Sequence, residues 1–229
     1  MEESPVPDDY DPAAYDRPSV TVDCVAMGMS DGKLAVLLTR RTQLPFPGYW
    51  ALPGGFVAIP EPLEAAASRV LKQKAGLNDV TVDQVHAFGA VERDPRMRII
   101  SIAYRALLAP AALAAVPVHA DRCLATIDAD GSVSANGQRL SLAFDHAAIV
   151  AMTLTRLRRT IDDDAFALVA AQFTLRELQT VHEAVLGRPL NKPAFRRRML
   201  DRGILQATGV FEAVRAFRPA ELYVHVPKG

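Results

Sequence analysis

The chain has 229 residues, 50% of them hydrophobic and 23% charged, with 26 basic against 26 acidic side chains and a formal net charge of +0. That is an ordinary soluble globular composition, long enough for one large or two ordinary domains, and no apolar run approaches the length of a membrane span. Two cysteines, Cys24 and Cys123, are too few for a disulfide scaffold and lack metal-ligand spacing; with an acidic start unlike a signal peptide, the expected location is a reducing cytoplasm.

Residues 1–16 carry Glu2, Glu3, Asp8, Asp9, Asp11 and Asp16 and no Lys or Arg. Lacking any periodicity, residues 1–17 are expected to form a flexible arm. A first domain is expected over 18–145. In it SVTVDCVAM from Ser19 alternates as a strand, SDGK turns, and LAVLLTRR forms the second strand of a hairpin. RTQLPFPGYWALPGGF reads as a Pro/Gly-rich loop holding Trp50. PLEAAASRVLKQKAG has helical spacing at Leu63, Ala66, Ala67, Val70 and Leu71, and Gly76 stops it. Strands are expected at VTVDQVHAFGAV and MRIISIAYRALL. The Ala-rich stretch 109–120 gives no clear pattern, whereas the DG and NG turns in CLATIDADGSVSANGQRLSLAF predict a β-ribbon.

A linker helix over 146–163 follows, and Asp162–Asp164 form a natural boundary before a second unit over 164–229. Phe173-Thr174-Leu175-Arg176-Glu177-Leu178 combines a capping box with a hydrophobic staple, and the helix it starts stops at Gly187. Asn191 caps a second helix, KPAFRRRMLDRG, closed by Gly203. ILQAT and ELYVHV read as strands flanking a loop at 209–220. Helix, turn, helix and β-hairpin is the order of a winged helix.

Two regions carry the chemistry. The segment Gly55–Leu77 resembles the Nudix signature, matching it in register at Gly55, Glu61, Arg69, Leu71, Gly76 and Leu77. In that family three helix glutamates bind the divalent cations that neutralise a diphosphate and activate water; here those positions are Val70, Gln73 and Lys74. Mg²⁺ needs anionic oxygens, and of the acids only Glu61 remains, so metal-assisted hydrolysis is not expected and no metal or cofactor is assigned. The ligand-binding candidates are Arg40, Arg41, Trp50, Gly54, Gly55, Lys74, Arg93, Asp94 and Arg96. Arginines suit bidentate phosphate binding, and Arg41 and Arg93 have no evident acidic partner in the sequence. Lys74 either faces the phosphates in place of the metal or is solvent-exposed. Trp50 suits base stacking and core packing equally.

In the second unit the basic helix is the recognition candidate. Phe195, Met199 and Leu200 supply its apolar side, with Arg197 roughly opposite, Arg198 beside it and Arg196 on the flank nearer the core. Lys192 and the helix N-terminus suit a phosphate. Thr174 and Asn191 at the two helix starts, and Arg215 and Arg218 in the wing loop, complete the expected DNA-binding set.

WALPGGFV, FGAVERDPR, LAFDH, the long run FTLRELQTVHEAVLGRPLNKPAFRRRMLDRGILQATG and RPAELY resemble the NrtR family, Nudix-related transcriptional regulators of NAD metabolism, from about Val20 to Val226. The resemblance implies an α+β protein: an N-terminal Nudix α/β/α sandwich plus a C-terminal winged helix-turn-helix. It implies a homodimeric repressor of NAD biosynthesis or salvage genes that binds a palindromic operator of double-stranded DNA and senses ADP-ribose or another NAD derivative. Some relatives regulate sugar utilisation. Two other readings stay open: a weakly active ADP-ribose or nucleoside-diphosphate pyrophosphatase, and an interaction module whose basic helix binds no DNA.

Overall fold

A computed structural model describes residues 10–212 and 219–227. The expected flexible arm at 1–17 therefore lies partly outside the described residues, and Arg215 and Arg218 of the wing lie wholly outside them. After a 3₁₀ turn at Pro12–Ala14, strands β1 (Ser19–Ser30) and β2 (Lys33–Arg40) form the expected hairpin. The loop expected to follow contains two short strands, β3 (Trp50–Ala51) and β4 (Gly54–Phe56). Helix α1 (Leu63–Ala75) ends on Gly76 at φ +72°, with Gly76 N–H donating to Lys72 O at 3.1 Å and Leu77 N–H to Leu71 O at 3.3 Å. These two bonds satisfy carbonyls that a helix end leaves open, and only glycine takes this conformation without strain.

Next come β5 (Asp83–Phe88), β6 (Ile99–Leu108) and, in the unassigned Ala-rich stretch, a short helix α2 (Pro110–Ala114). The ribbon follows as β7 (Arg122–Ile127), β8 (Val133–Ala135) and β9 (Gln138–Arg139). The main sheet runs β5-β6-β1-β2-β7-β8-β9, with β3 on β2 and β4 on β1. β1 is parallel to β6 along its length and antiparallel to β2.

The alternation that marks β1 as a strand divides its side chains between two cores. Val22, Cys24 and Ala26 pack under α1 with Leu37, Tyr104 and Ala106. Val25 and Met27 point to the other face, under α3 (His146–Asp164), with Leu34, Val36, Ile149 and Leu157. Both faces of the sheet are thus covered by helices, as an apolar two-sided sheet requires.

At 1.5 Å per residue, the 19 residues of α3 span about 28 Å. A 3₁₀ turn at Ala165–Leu168 leads into β10 (Phe173–Thr174), α4 (Leu175–Leu186), α5 (Lys192–Asp201), β11 (Leu205–Phe211) and β12 (Glu221–His225). The small sheet is β10-β12-β11, so the wing hairpin gains a third strand that its two-residue length hid in the sequence. The capping box closes both ways: Glu177 N–H donates to Thr174 Oγ1 at 3.1 Å, and Thr174 N–H to Glu177 Oε2 at 2.7 Å. Asn191 Oδ1 caps α5 by accepting from Ala194 N–H at 3.0 Å; each cap contributes about 1 kcal/mol. Phe173, Leu178, Val181, Phe195 and Met199 join Leu157 and Ile161 of α3 in one continuous core, so the C-terminal unit is packed onto the first rather than tethered to it. Leu200, expected on the apolar side of α5, is instead 38% exposed, because Phe195 and Met199 already fill the space beneath the helix.

Candidate functional site

A cavity of about 450 Å³ opens where β1 and β2 separate to admit β3 and β4. Arg40, Arg41, Gly54, Gly55, Lys74, Arg93, Asp94 and Arg96 all line it. Trp50 does not. Its backbone bridges to Leu142 and its half-buried side chain packs against the core of the α3 face, so of its two expected roles the packing one is met. Also lining the cavity, and not singled out from the sequence, are Asp23, His119, Asp121, Arg122, Phe144 and His146. Their signals were weak because β7 and the turn before α3 reach the cavity only through tertiary pairing. Arg122 arrives opposite Thr39 of β2.

Asp23 is the hub of the floor. It is 6% exposed and accepts from Ser101 Oγ at 2.5 Å and from Arg93 Nη2 at 3.3 Å, with His146 Nε2 3.5 Å from its other oxygen. Gly54 crosses directly above: a Cβ there would stand 2.2 Å from Asp23 Oδ1 and 3.0 Å from Val22 O, so no side chain fits. His146 Nδ1 accepts from Leu52 N–H at 2.9 Å and thereby holds the loop before Gly54; burial pushes the pKa of its imidazole down.

The expectation that Arg93 lacks an acidic partner is wrong. Its Nε and Nη2 donate to Asp145 at 2.9 and 2.6 Å, and its side chain is only 4% exposed. Three distant segments meet at this arginine, which is why the sequence did not show its partners. Arg96 is likewise committed, forking onto Asp94 at 3.0 and 2.8 Å, and that hydrogen bonding holds the Asp94 carboxyl below the usual carboxylate range.

Four other cations line the cavity without an ion pair among the described residues. Arg40 Nε donates to Gly48 O at 3.2 Å, and Arg41 Nε to Pro45 O at 2.8 Å and Nη2 to Gln43 O at 3.3 Å. Lys74 Nζ donates to Gly54 O, and Arg122 Nη1 to Pro117 O at 3.4 Å, while its buried Nε has no hydrogen-bond partner among the described residues. Carbonyls orient these groups without neutralising them. Burial pushes the pKa of Arg41 down, with Arg96 adding to the effect, and burial does the same to Lys74 against the opposing pull of Asp23. The Arg41 guanidinium also lies 4.7 Å from the centre of the Phe144 ring, which takes φ +53° to face it.

The three positions that hold glutamates in the Nudix signature do not form an acidic cluster. Val70 is 1% exposed and serves the core, Gln73 is exposed, and Lys74 is exposed along its stem with its ammonium turned into the cavity. Glu61, left as the one residual acid, is not free either: Arg69 donates to both of its oxygens at 2.6 and 2.7 Å. The described residues hold no group of three His, Cys, Asp or Glu placed to bind a metal.

In the C-terminal unit the expected DNA-binding residues separate into two sets. Lys192 and Arg197 on α5 are exposed and make no side-chain bond with the described residues. Arg198 turns instead to α3, donating to Asp162 Oδ2 at 2.9 Å with its guanidinium 5.6 Å from the Phe195 ring centre. Arg196 reaches Tyr223 Oη at 3.5 Å. Thr174 is 3% exposed and its hydroxyl is committed to the cap, so it sits beneath the surface rather than on it, and the Asn191 side chain is engaged in capping α5. Arg202, next along, donates to the Asp162 carbonyl and to Asp163.

Residues 17–121 match the model of the NUDIX domain, and residues 165–224 that of the NrtR DNA-binding winged helix domain. The chain is 34% identical, over 93% of its length and 84% of the relative's, to the ADPR responsive transcriptional repressor NtrR of Acinetobacter baylyi. It superposes on Shewanella oneidensis NrtR complexed with a 27mer DNA at TM-score 0.72 and 32% identity, covering 90% of this chain and 93% of that one. The NUDIX domain of the same Shewanella protein complexed with ADP ribose matches at TM-score 0.53 and 31% identity, over 65% of this chain and 94% of that one. With a Nudix sandwich whose acid positions carry Val70, Gln73 and Lys74, joined through one core to a winged helix, this chain belongs to the NrtR family of transcriptional regulators.

Proposed function

We propose that the protein is a DNA-binding transcriptional repressor of NAD biosynthesis or salvage genes whose Nudix domain senses ADP-ribose, or a related NAD metabolite, without hydrolysing it. One observation carries this reading: α3 belongs to both sites. At its N-terminal end, Asp145 holds Arg93 and His146 holds the loop before Gly54 in the cavity. At its C-terminal end, Asp162 and Asp163 hold Arg198 and Arg202 of the basic helix segment. A ligand that favours one arrangement of the first end then biases the second, and by linkage DNA must bias ligand binding by the same factor.

The chemistry of the cavity fits a diphosphate. Four cations that form no ion pair among the described residues present positive charge in a partly desolvated site, where it attracts an anion more strongly than in water. The repressor named in Acinetobacter is responsive to ADPR and the Shewanella domain is complexed with ADP ribose, which supports the same effector here. On this reading the protein works in the cytoplasm as a homodimer on a palindromic operator, Lys192 and Arg197 facing the DNA. The test is titration of ADP-ribose, NAD and free pentoses into a preformed protein–operator complex. ADP-ribose is expected to change the shifted fraction at concentrations where pentoses do nothing. Steady release of AMP and ribose 5-phosphate in the presence of Mg²⁺ would instead identify a hydrolase.

A further inference from the structure

A Nudix fold implies a divalent cation between the protein and the diphosphate, and the residues of this chain do not fit one. Mg²⁺ binds through one or two carboxylates together with substrate phosphates and retained waters. The carboxylates that line this cavity are Asp23, Asp94 and Asp121. Asp23 is taken by Ser101, Arg93 and His146, and Asp94 is taken by Arg96. Asp121 is left as a single carboxylate in a cavity that Arg40, Arg41, Lys74 and Arg122 also line. Glu61 does not line the cavity and is locked to Arg69, and Val70 lies in the core beneath Gly55, its Cγ2 3.0 Å from where a Cβ on that glycine would stand.

Positive charge occupies the place instead. Lys74 is in the last turn of α1, at a position where the Nudix signature has a glutamate, and its ammonium is drawn to Gly54 O. Arg40 ends β2, Arg41 follows it and Arg122 begins the adjacent β7; all three line the cavity and are tied to carbonyls. Arg122, which lines the cavity, adds an independent sign of a missing partner: its buried Nε has nothing to donate to among the described residues. A buried N–H left unpaired is costly, and an accepting oxygen on a ligand that draws the guanidinium toward the cavity would relieve that cost.

We propose that the effector's diphosphate is bound without a divalent cation, Lys74 standing where the metal of a Nudix hydrolase stands and Arg122 supplying a second anion contact from outside the Nudix signature. This rests on the reading of the cavity as an ADP-ribose site. A lysine ammonium is a point charge that neutralises phosphate oxygen, but it offers no open coordination position at which water is activated. The substitution therefore accounts for retention and for the absence of cleavage together, and it makes binding independent of metal supply.

The experiment is isothermal titration of the full-length protein with ADP-ribose in EDTA and again in excess Mg²⁺, alongside Lys74→Met and Arg122→Gln. The expected result is a Kd in EDTA within about twofold of that in Mg²⁺, with each substitution weakening binding about tenfold in both buffers. Inorganic diphosphate is expected to compete with wild type and to lose most of its competition with Lys74→Met. Binding seen only with Mg²⁺ overturns the metal-free site and leaves the ADP-ribose reading intact. Absence of binding in both buffers overturns the effector assignment and this inference with it. Wild-type affinity in both variants, each shown folded by its thermal transition, removes Lys74 and Arg122 from the site.

Discussion

Asp162 of α3 accepts a hydrogen bond from Arg198 of α5 at 2.9 Å, and the same carboxylate lies 3.2 Å from Nε2 of the buried His182 in α4. One side chain thus touches both helices of the helix-turn-helix from the helix that begins at the cavity. The Arg198 and Asp162 side chains are 47% and 44% exposed, so solvent screens the pair and its direct contribution is about 0.2–1 kcal/mol. Its value is geometric, since it sets the angle at which α5 is presented.

Asp162→Ala is expected to lower operator affinity about two- to fivefold while ADP-ribose affinity of the DNA-free protein stays unchanged. Fluorescence anisotropy on labelled operator and calorimetry on the free protein read the two effects separately. Equal operator affinity in variant and wild type would reduce α3 to a spacer.

Arg197→Ala removes an exposed, uncommitted arginine from the outer face of α5. Operator affinity is expected to fall by about 1–3 kcal/mol, with no change in thermal midpoint. A loss that appears equally on unrelated DNA would assign Arg197 to the phosphate backbone rather than to a base.

Arg93→Met acts through stability instead. The arginine joins Asp23 and Asp145 with its side chain 4% exposed, and removing it strands at least one buried carboxylate. The expected cost is about 3–5 kcal/mol in urea unfolding. A variant as stable as wild type but unable to bind ADP-ribose would restore Arg93 to the role of a free phosphate ligand.

His146 predicts an acid limit. Burial pushes its folded-state pKa below the ordinary 6.5, so the folded protein holds the ring neutral while the unfolded chain takes up a proton as pH falls. The unfolded state then binds more protons, and stability is lost progressively below about pH 6.5. Protonating Nδ1 also breaks the bond from Leu52 N–H, which positions the loop before Gly54. Thermal midpoints of wild type should fall between about pH 7.5 and about pH 5.5, roughly one unit either side of the free-histidine pKa, and His146→Gln should flatten that fall. Parallel pH profiles for the two proteins would place the acid sensitivity elsewhere; His182, whose pKa burial also pushes down, is the next candidate.

Much of the architecture was legible because it is local. Strand alternation from Ser19, the αL stop at Gly76, and the capping box Thr174–Glu177 each depend on residues within a few positions of one another, and each forms as the pattern predicts. The short strands β3, β4 and β10 were not legible, because two or three residues carry no period and exist only through their partners β2, β1 and β12.

The cavity divides in the same way. Its Lys74, Arg40, Arg41, Gly54 and Gly55 stand in or beside a motif with fixed spacing, and their residue types announce the chemistry. Which arginines remain free was decided only in three dimensions. Arg93 meets Asp145 across 52 residues of sequence, and Arg122 is brought to the wall by pairing of β7 with β2. The sequence by itself determined the two folds, the loss of the acidic cluster and the basic helix, since these follow from side-chain chemistry and short-range periodicity. Tertiary structure alone decided which charges cancel, because cancellation depends on distances of a few ångströms between segments that the chain order holds far apart.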